Sequence, residues 1–327
     1  MAPLTRLLGR MTVCGLIVLA GVGNTVAETY PSRPIRLIVP FPPGGALDAI
    51  ARRVQPVVQR ELGGISVIID NKGGASASIG TAAAAVAPPD GYTVLMMFDT
   101  HAVNPSLMSL PYDSIKDFAP VMKIGEAPMI LVANPAAPQK TFADVVAAAK
   151  AKPGTVPYGT VGQGSLAHLV MSQMRRELDV DWTHVPYKGG APMVNDVTAG
   201  HLPFAIASIA LLGSHVKAGK LTGLAVTSPK RHPQFPNTPT VGELGVPGFA
   251  ANAWWGLMVP AKTPPEIIAR LNAAFTAAFN DPGVKETLVD QAGIIYDMAT
   301  PEAFAAFVAT EIDRWSKVVR DNKISPE

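Results

Sequence analysis

Residues 156–169 read VPYGTVGQGSLAHL, and the fold turns on how this stretch is understood. Gly162, Gly164 and Ala167 have the spacing G-x-G-x-x-A, which between a strand and a helix is the turn of a dinucleotide-binding domain. Taken alone, it would make the chain a dehydrogenase. The same order of strand, glycine turn and helix can hold any anion, because the first amides of a helix are unpaired and carry partial positive charge. The surrounding sequence has to decide between a phosphate and another anion.

The order occurs once more, earlier in the chain. Residues 35–41 (IRLIVPF) form an apolar, strand-like run that ends in Pro42-Pro43-Gly44-Gly45. A helical pattern follows, with Leu47, Ile50, Val54, Val57 and Leu62 on one face. Around the opening stretch lie a strand over 156–161, the turn Gly162-Gln163-Gly164, and a helix presenting Leu166, Leu169, Val170, Met174 and Leu178. The first helix ends in Arg60-Glu61-Leu62 and the second in Arg176-Glu177-Leu178. A strand over 65–69 then leads to Lys72-Gly73-Gly74, and one near Val185 leads to Lys188-Gly189-Gly190, at the same offset. Any two βαβ units share the order; the shared landmarks point to a repeat. We expect two α/β lobes with glycine loops at the C-terminal ends of their parallel strands, where open sheets place ligands. Helical patterns over 265–279 and 301–319 have no second copy and complete the first lobe. Lobe 1 is then 28–127 with 250–327, lobe 2 is 128–249, and the chain crosses the hinge twice.

Export separates the two anion readings. Arg6 and Arg10 precede an apolar run over 11–23, and Thr25-Val26-Ala27 offers a small-residue cleavage site, so residues 1–27 read as a signal peptide leading to the periplasm. The only cysteine, Cys14, lies inside this leader, which leaves the mature chain no disulfide, thiol nucleophile or thiolate metal site. The 27 basic and 25 acidic residues even out once Arg6 and Arg10 are removed, so there is no electrostatic footprint for nucleic acid. G-x-S-x-G, H-E-x-x-H and P-loop motifs are absent, and the six histidines show no metal-like spacing. Neither a catalytic group nor a metal or other cofactor is expected. An exported chain with several glycine turns favours a small anion over NAD.

Candidate anion loops are residues 42–46, 73–80, 162–165 and 188–191. Ser76, Ser78 and Ser165 add hydroxyl donors, and these short turns carry no Asp or Glu. His101, after the strand over 93–98, is placed near the ligand, whereas His168 on the second helix reads as structural. Asp48, in the first turn of its helix, reads as a favourable charge on the helix dipole. Trp254-Trp255 reads first as core or hinge packing and second as a pocket wall.

Ordered blocks along the chain carry a resemblance. YPSRPIRLIVPFPPGG with Asp48 and Ala51-Arg52 comes first, followed by DNKGG through Ile79-Gly80, PDGYTVLM, and THAVNPSL with LPYDSIKDFAPV. VPYKGGAP, HVKAGKL with LAVTSPKR, and PTVGELGVPGF come later. From about Tyr30 to the C-terminus the chain resembles the extracytoplasmic solute receptors of tripartite tricarboxylate transporters, also called Bug receptors. The resemblance implies a type II periplasmic-binding-protein fold: two α/β lobes with a ligand cleft between them. It implies a monomeric, non-enzymatic receptor that captures a small organic carboxylate and delivers it to integral-membrane transporter subunits. In the family, main-chain N–H and hydroxyl groups of the second-lobe loops hold the carboxylate, and waters bridge to the Pro-Pro-Gly-Gly loop. Here that points to Gly162, Gly164, Ser165, Tyr187, Lys188 and Gly189 for the carboxylate. Phe41, Gly44, Gly45, Ser76, Ser78 and His101 form the opposite wall, and Leu47, Thr100, Thr160 and Ser208 complete the expected set. Family members usually carry glycines where Ser76 and Ala77 stand, Thr or Ser at Leu47, and often Asp-Asn at Ala207-Ser208. These departures bear on ligand identity, not fold. Residues 204–213 (FAIASIALLG) contain no acid to meet an ammonium group, so the expected ligand is a carboxylate without an amino group, its apolar body on Phe41 and Leu47. An exported enzyme or a ligand sensor acting on a small organic acid in the same cleft is the alternative.

Overall fold

The structure, a computed structural model, describes residues 30–324. The expected signal peptide lies outside the described residues. The chain opens with β1 (Ile35–Val39), α1 (Ala46–Glu61), β2 (Val67–Asn71), α2 (Ser78–Ala85), β3 (Thr93–Phe98) and α3 (Thr100–Leu107). β1 pairs in parallel with β2 on one side and β3 on the other. Its Ile35, Leu37, Ile38 and Val39 are all buried, as a parallel strand covered on both faces requires. On α1, Leu47, Ile50, Val54 and Val57, with Leu62 at its end, form the buried stripe anticipated from the helical spacing, and Val58 is buried beside them.

The long strand β4 (Phe118–Ala133) carries the chain into the second half. There follow α4 (Phe142–Ala151), β5 (Pro157–Thr160), α5 (Leu166–Glu177), β6 (Thr183–Pro186), α6 (Gly190–Ala199), β7 (Phe204–Ser208), α7 (Ile209–Lys217) and β8 (Thr222–Val226). β5 pairs in parallel with β6 and β7, as β1 does with β2 and β3. The chain returns through β9 (Asn252–Pro260), α8 (Pro265–Asn280), α9 (Pro282–Lys285) with a π-helical turn at Glu286–Gln291, β10 (Ile295–Ala299) and α10 (Pro301–Asp321). The strand order is β2-β1-β3-β9-β4-β7-β5-β6, which reads the same way from either end: parallel trio, antiparallel strand, antiparallel strand, parallel trio.

β4 belongs to both halves. Phe118 to Pro128 pair with β9, and Met129 to Ala133 pair with β7. The returning crossing lies beside it. The Thr227 hydroxyl accepts the Met129 N–H at 2.8 Å and donates to the Ala251 carbonyl, while the Ala251 N–H returns to the Thr227 carbonyl at 3.0 Å. One side chain thus ties the two crossings together.

The C-terminal helices pack on the first half, α8 against α1 and α10 against α3. Trp254, Trp315, Phe275, Phe279 and Phe304 are fully buried here, and each such side chain is worth about 1.5–3 kcal/mol of transfer free energy. A separate apolar cluster in the second half includes Met193, Leu202, Ile209, Leu212 and Phe235. No helix of the described residues is long and apolar enough to cross a membrane.

Candidate functional site

α1, α3, α5, α6 and α7 all begin at one cleft between the halves. The cavity there has a volume of about 730 Å³, within the range of small-ligand sites. Its first wall comes from residues 41–47, Ser76, Phe98, Asp99, Thr100 and Trp255; its second from Met129, residues 161–167 and 188–192, Ala207, Ser208, Leu211 and His215. Phe41, Phe98 and Trp255 form a connected aromatic surface, with ring centroids 6.0 and 5.5 Å apart.

The loop between β5 and α5 is the most constrained part of this lining. Gly162 and Gly164 have φ of 149° and 67°, a backbone region that favours glycine, and a Cβ at Gly164 would also press on the Leu107 side chain at 2.6 Å. The loop also satisfies itself. Gly162 N–H donates to the Thr160 hydroxyl at 3.2 Å, and Gly164 N–H to Nδ1 of His168 at 3.2 Å. The Ser165 hydroxyl donates to the Gly162 carbonyl at 2.7 Å and caps α5 by accepting the His168 N–H. The sequence reading assigned ligand donors to Gly162, Gly164 and Ser165. Those donors are engaged within the loop. The amides left without a partner among the described residues are those of Gln163, Leu166 and Ala167. Equivalent unpartnered amides occur at Ala46 and Leu47 across the cleft and at Gly190 and Ala191 beside it.

Of the residues expected at the site, Phe41, Gly44, Gly45, Leu47, Ser76, Thr100, Gly162, Gly164, Ser165, Lys188, Gly189 and Ser208 line the cavity. Four do not. Thr160 stands behind the loop, its hydroxyl 2.7 Å from Nε2 of His184. Tyr187 turns away and donates to Asp196 at 2.8 Å; burial and then that carboxylate push its phenol up to about 12. Ser78 is buried at the start of α2. His101 is 3% exposed, 2.8 Å from the Ser114 carbonyl and packed against Tyr112 and Phe118. It belongs to the core because the helix turns each residue about 100° from the last, and Thr100 takes the cleft side. Burial drives the His101 imidazole down to about 4.

Asp48 has a more specific task than a helix-dipole charge. It is 2% exposed, and Oδ2 accepts the Gly44 N–H at 2.9 Å and the Arg52 Nε at 2.8 Å while Oδ1 accepts Asn71 at 3.0 Å. Burial would raise this carboxyl, but the hydrogen bonds from Arg52, Gly44 and Asn71 hold it below its ordinary range. The carboxylate braces the Pro-Pro-Gly-Gly loop from inside. Trp254 packs on Phe304 and Phe307, so of the tryptophan pair Trp255 alone faces the cavity.

Asp99 is the residue that sequence reasoning missed. It is among the lining residues, is 1% exposed, and neither carboxylate oxygen has a hydrogen-bond partner among the described residues. Burial, and next the Glu311 carboxylate, push it well above the ordinary range, which disfavours its charged form. No motif marks it; it stands between the last residue of β3, an aromatic, and the first of α3, a threonine. Among the described residues, no group of three or more His, Cys, Asp or Glu could hold a metal ion.

Two α/β halves of matching strand order, tied at a double crossing and presenting helix N-termini to a shared cleft, define a periplasmic binding protein of type II. The chain belongs to the tripartite tricarboxylate transporter family receptors, which it matches over residues 50–324. It is similar to protein BugT of Bordetella pertussis, with 38% identity over 322 residues, 97% of this chain and 98% of BugT. Its fold is similar to that of a Rhodopseudomonas palustris protein solved with adipate, at 33% identity and TM-score 0.84, covering 91% of this chain and 100% of that one. MatC from Rhodopseudomonas palustris with bound malate is similar at 30% identity and TM-score 0.80, covering 89% and 100%. The protein is a solute-binding receptor, and its family is periplasmic.

Proposed function

We propose that the cleft captures a small organic acid with a carboxylate at each end and no amino group, and that the protein hands it to integral-membrane transporter subunits. The observation that carries this reading is the pairing of unpartnered amides on opposite walls: Gln163, Leu166 and Ala167 on one, Ala46 and Leu47 on the other. Two helix N-termini facing each other suit two anionic groups. Between them, Phe41, Leu47, Phe98 and Trp255 offer an apolar surface for the body of the ligand. Malate and adipate, bound by the two structural relatives, have this chemistry. An ammonium group would need a charged acid; Asp48 is committed to Arg52, Gly44 and Asn71, and burial disfavours the charged form of Asp99.

The protein acts as a receptor rather than an enzyme. Ser165, the hydroxyl that would invite a nucleophile reading, gives its proton to a carbonyl, and the nearby imidazole of His168 uses Nδ1 to accept an amide N–H. Residues 1–27 serve as the export signal, and the receptor works as a monomer. Residues 28–127 with 250–327 form one lobe and 128–249 the other, and the two close about the crossings tied by Thr227. Calorimetry with malate, adipate and succinate against aspartate and glutamate tests the reading, with recovery of the acids checked by NMR. The expected result is binding of a dicarboxylate without turnover. Tight binding of either amino acid with none of the plain acids would sink the ligand assignment, and appearance of product would sink the receptor assignment.

A further inference from the structure

Behind the β5–α5 loop, on the side away from the cleft, two imidazoles lie face to face. His168 comes from α5 and His184 from β6; their ring centroids are 4.0 Å apart and their planes differ by 9°. Tyr158 of β5 stacks on His184 at 5.3 Å, and Trp182 packs edge-on to Tyr158 at 6.1 Å. Each imidazole is connected to a different glycine of the loop. Nδ1 of His168 accepts the Gly164 N–H at 3.2 Å. Nε2 of His184 stands 2.7 Å from the Thr160 hydroxyl, which accepts the Gly162 N–H at 3.2 Å. Both glycines have φ values that favour glycine.

We propose that His168 and His184 are positioning residues for ligand capture: the stacked pair holds Gly162 and Gly164 from behind, and so keeps the Gln163, Leu166 and Ala167 amides aimed into the cleft. The assignment rests on the reading of this loop as a carboxylate site. It goes beyond a packing role for the histidines, because a particular ring nitrogen in a particular protonation state is required. Nδ1 of His168 can accept the Gly164 N–H only when it carries no hydrogen. The titratable groups facing the pair are the two rings themselves and Tyr158, with Arg175 beyond Tyr158. No carboxylate among the described residues contacts either ring to stabilise a positive charge. Burial takes the His168 imidazole down to about 4; burial and then His168 take His184 down to about 4. Both rings are therefore neutral near pH 7. As pH falls toward 4, a proton arriving at Nδ1 sets one N–H against another, and two cations would face each other across the stack.

The test uses the full mature protein labelled with 15N. A scalar coupling across the Gly164 N–H to Nδ1 hydrogen bond is expected at pH 7, and its disappearance should follow protonation of the pair on acidification. His168→Phe keeps an aromatic ring over His184 but removes the acceptor; it should shift the Gln163, Leu166 and Ala167 amide resonances and weaken malate or adipate binding roughly five- to tenfold, the order of one lost hydrogen bond. His168→Asn, which places an amide oxygen near the position of Nδ1, should recover most of the affinity and lose the acid transition at Gly164. Wild-type affinity and unmoved loop amides in a folded His168→Phe would overturn the proposal, as would an Nδ1-protonated His168 at pH 7. If the wild-type protein binds neither acid, the ligand reading fails on its own terms, while the coupling and the loop resonances still decide whether the pair sets the loop.

Discussion

Ala75, Ser76 and Ala77 have φ of 43°, 50° and 76°, three successive left-handed residues without a glycine among them, at the lip of the cleft. Such a conformation costs roughly 1–2 kcal/mol per non-glycine residue. It is held by the Asn104 side chain, which donates to the Ser76 carbonyl at 2.7 Å. Ala75→Gly, at an exposed position that buries no methyl, should therefore raise stability by about 0.5–1 kcal/mol, net of the extra freedom glycine gives the unfolded chain, as read from the urea midpoint. Asp99 allows a second test with a defined sign. A carboxyl whose folded-state pKa is raised contributes stability that is fully present below its unfolded pKa and is lost as pH rises through the folded value. Asp99→Asn removes that loss. It should be more stable than wild type at pH 7 and draw level near or below pH 4, and a variant less stable at neutral pH would mean the carboxylate is wanted as a charge. Asp48 has the opposite sign: its lowered pKa contributes stability above about pH 4 that fades as pH falls further, so the penalty of Asp48→Asn should shrink in acid.

At the scale of an element, α5 brings three things to one point: a side-chain cap from Ser165, unpartnered first-turn amides, and a ring that reaches back to the loop before it. Ser165→Asp separates the first of these from the second. Aspartate caps a helix as well as serine, so the fold and α5 should survive, as judged by circular dichroism. The new charge would stand against the Gly162 carbonyl and a ligand carboxylate, and binding should fall below detection in calorimetry. Affinity within a few-fold of wild type would place the ligand elsewhere. The sequence made α5 and its glycine turn easy to recognise, since both are local. It could not show that Thr160 would take the Gly162 N–H of that turn, with His184 from the next strand set against the Thr160 hydroxyl.

For the whole molecule, the closure proposed above would act at the paired crossings. β4 runs unbroken through both halves and β9 returns beside it, so such a closure would bend the segment near Met129, Thr227 and Ala251. Trp255 lies on the cleft wall against Phe98, whereas Trp254 is packed under α10 on Phe304 and Phe307. Saturation with a bound dicarboxylate should thus change tryptophan fluorescence and reduce the radius of gyration in solution scattering. Trp255→Phe should remove most of the fluorescence response and Trp254→Phe should keep it. An unchanged scattering profile at saturation would show that ligand enters an already closed form.

The amino-acid sequence by itself determined the two-lobe plan. Alternation of buried strands, glycine turns and one-faced helices is written locally, and its recurrence from residues 35–74 to residues 156–190 foretold the matching halves of the strand order. It also marked glycine turns that feed helix N-termini at the cleft, since the first amides of a helix have no partner within their own helix. Tertiary structure alone decided which donors remain open, that Thr100 and not His101 meets the cleft, that Asp48 is spent on its own loop, and that His168 and His184 stack. Those outcomes depend on helix phase and on neighbours supplied by distant strands. Hydrogen-bond partnership and the burial of a charge are properties of the assembled surroundings, which no local pattern carries.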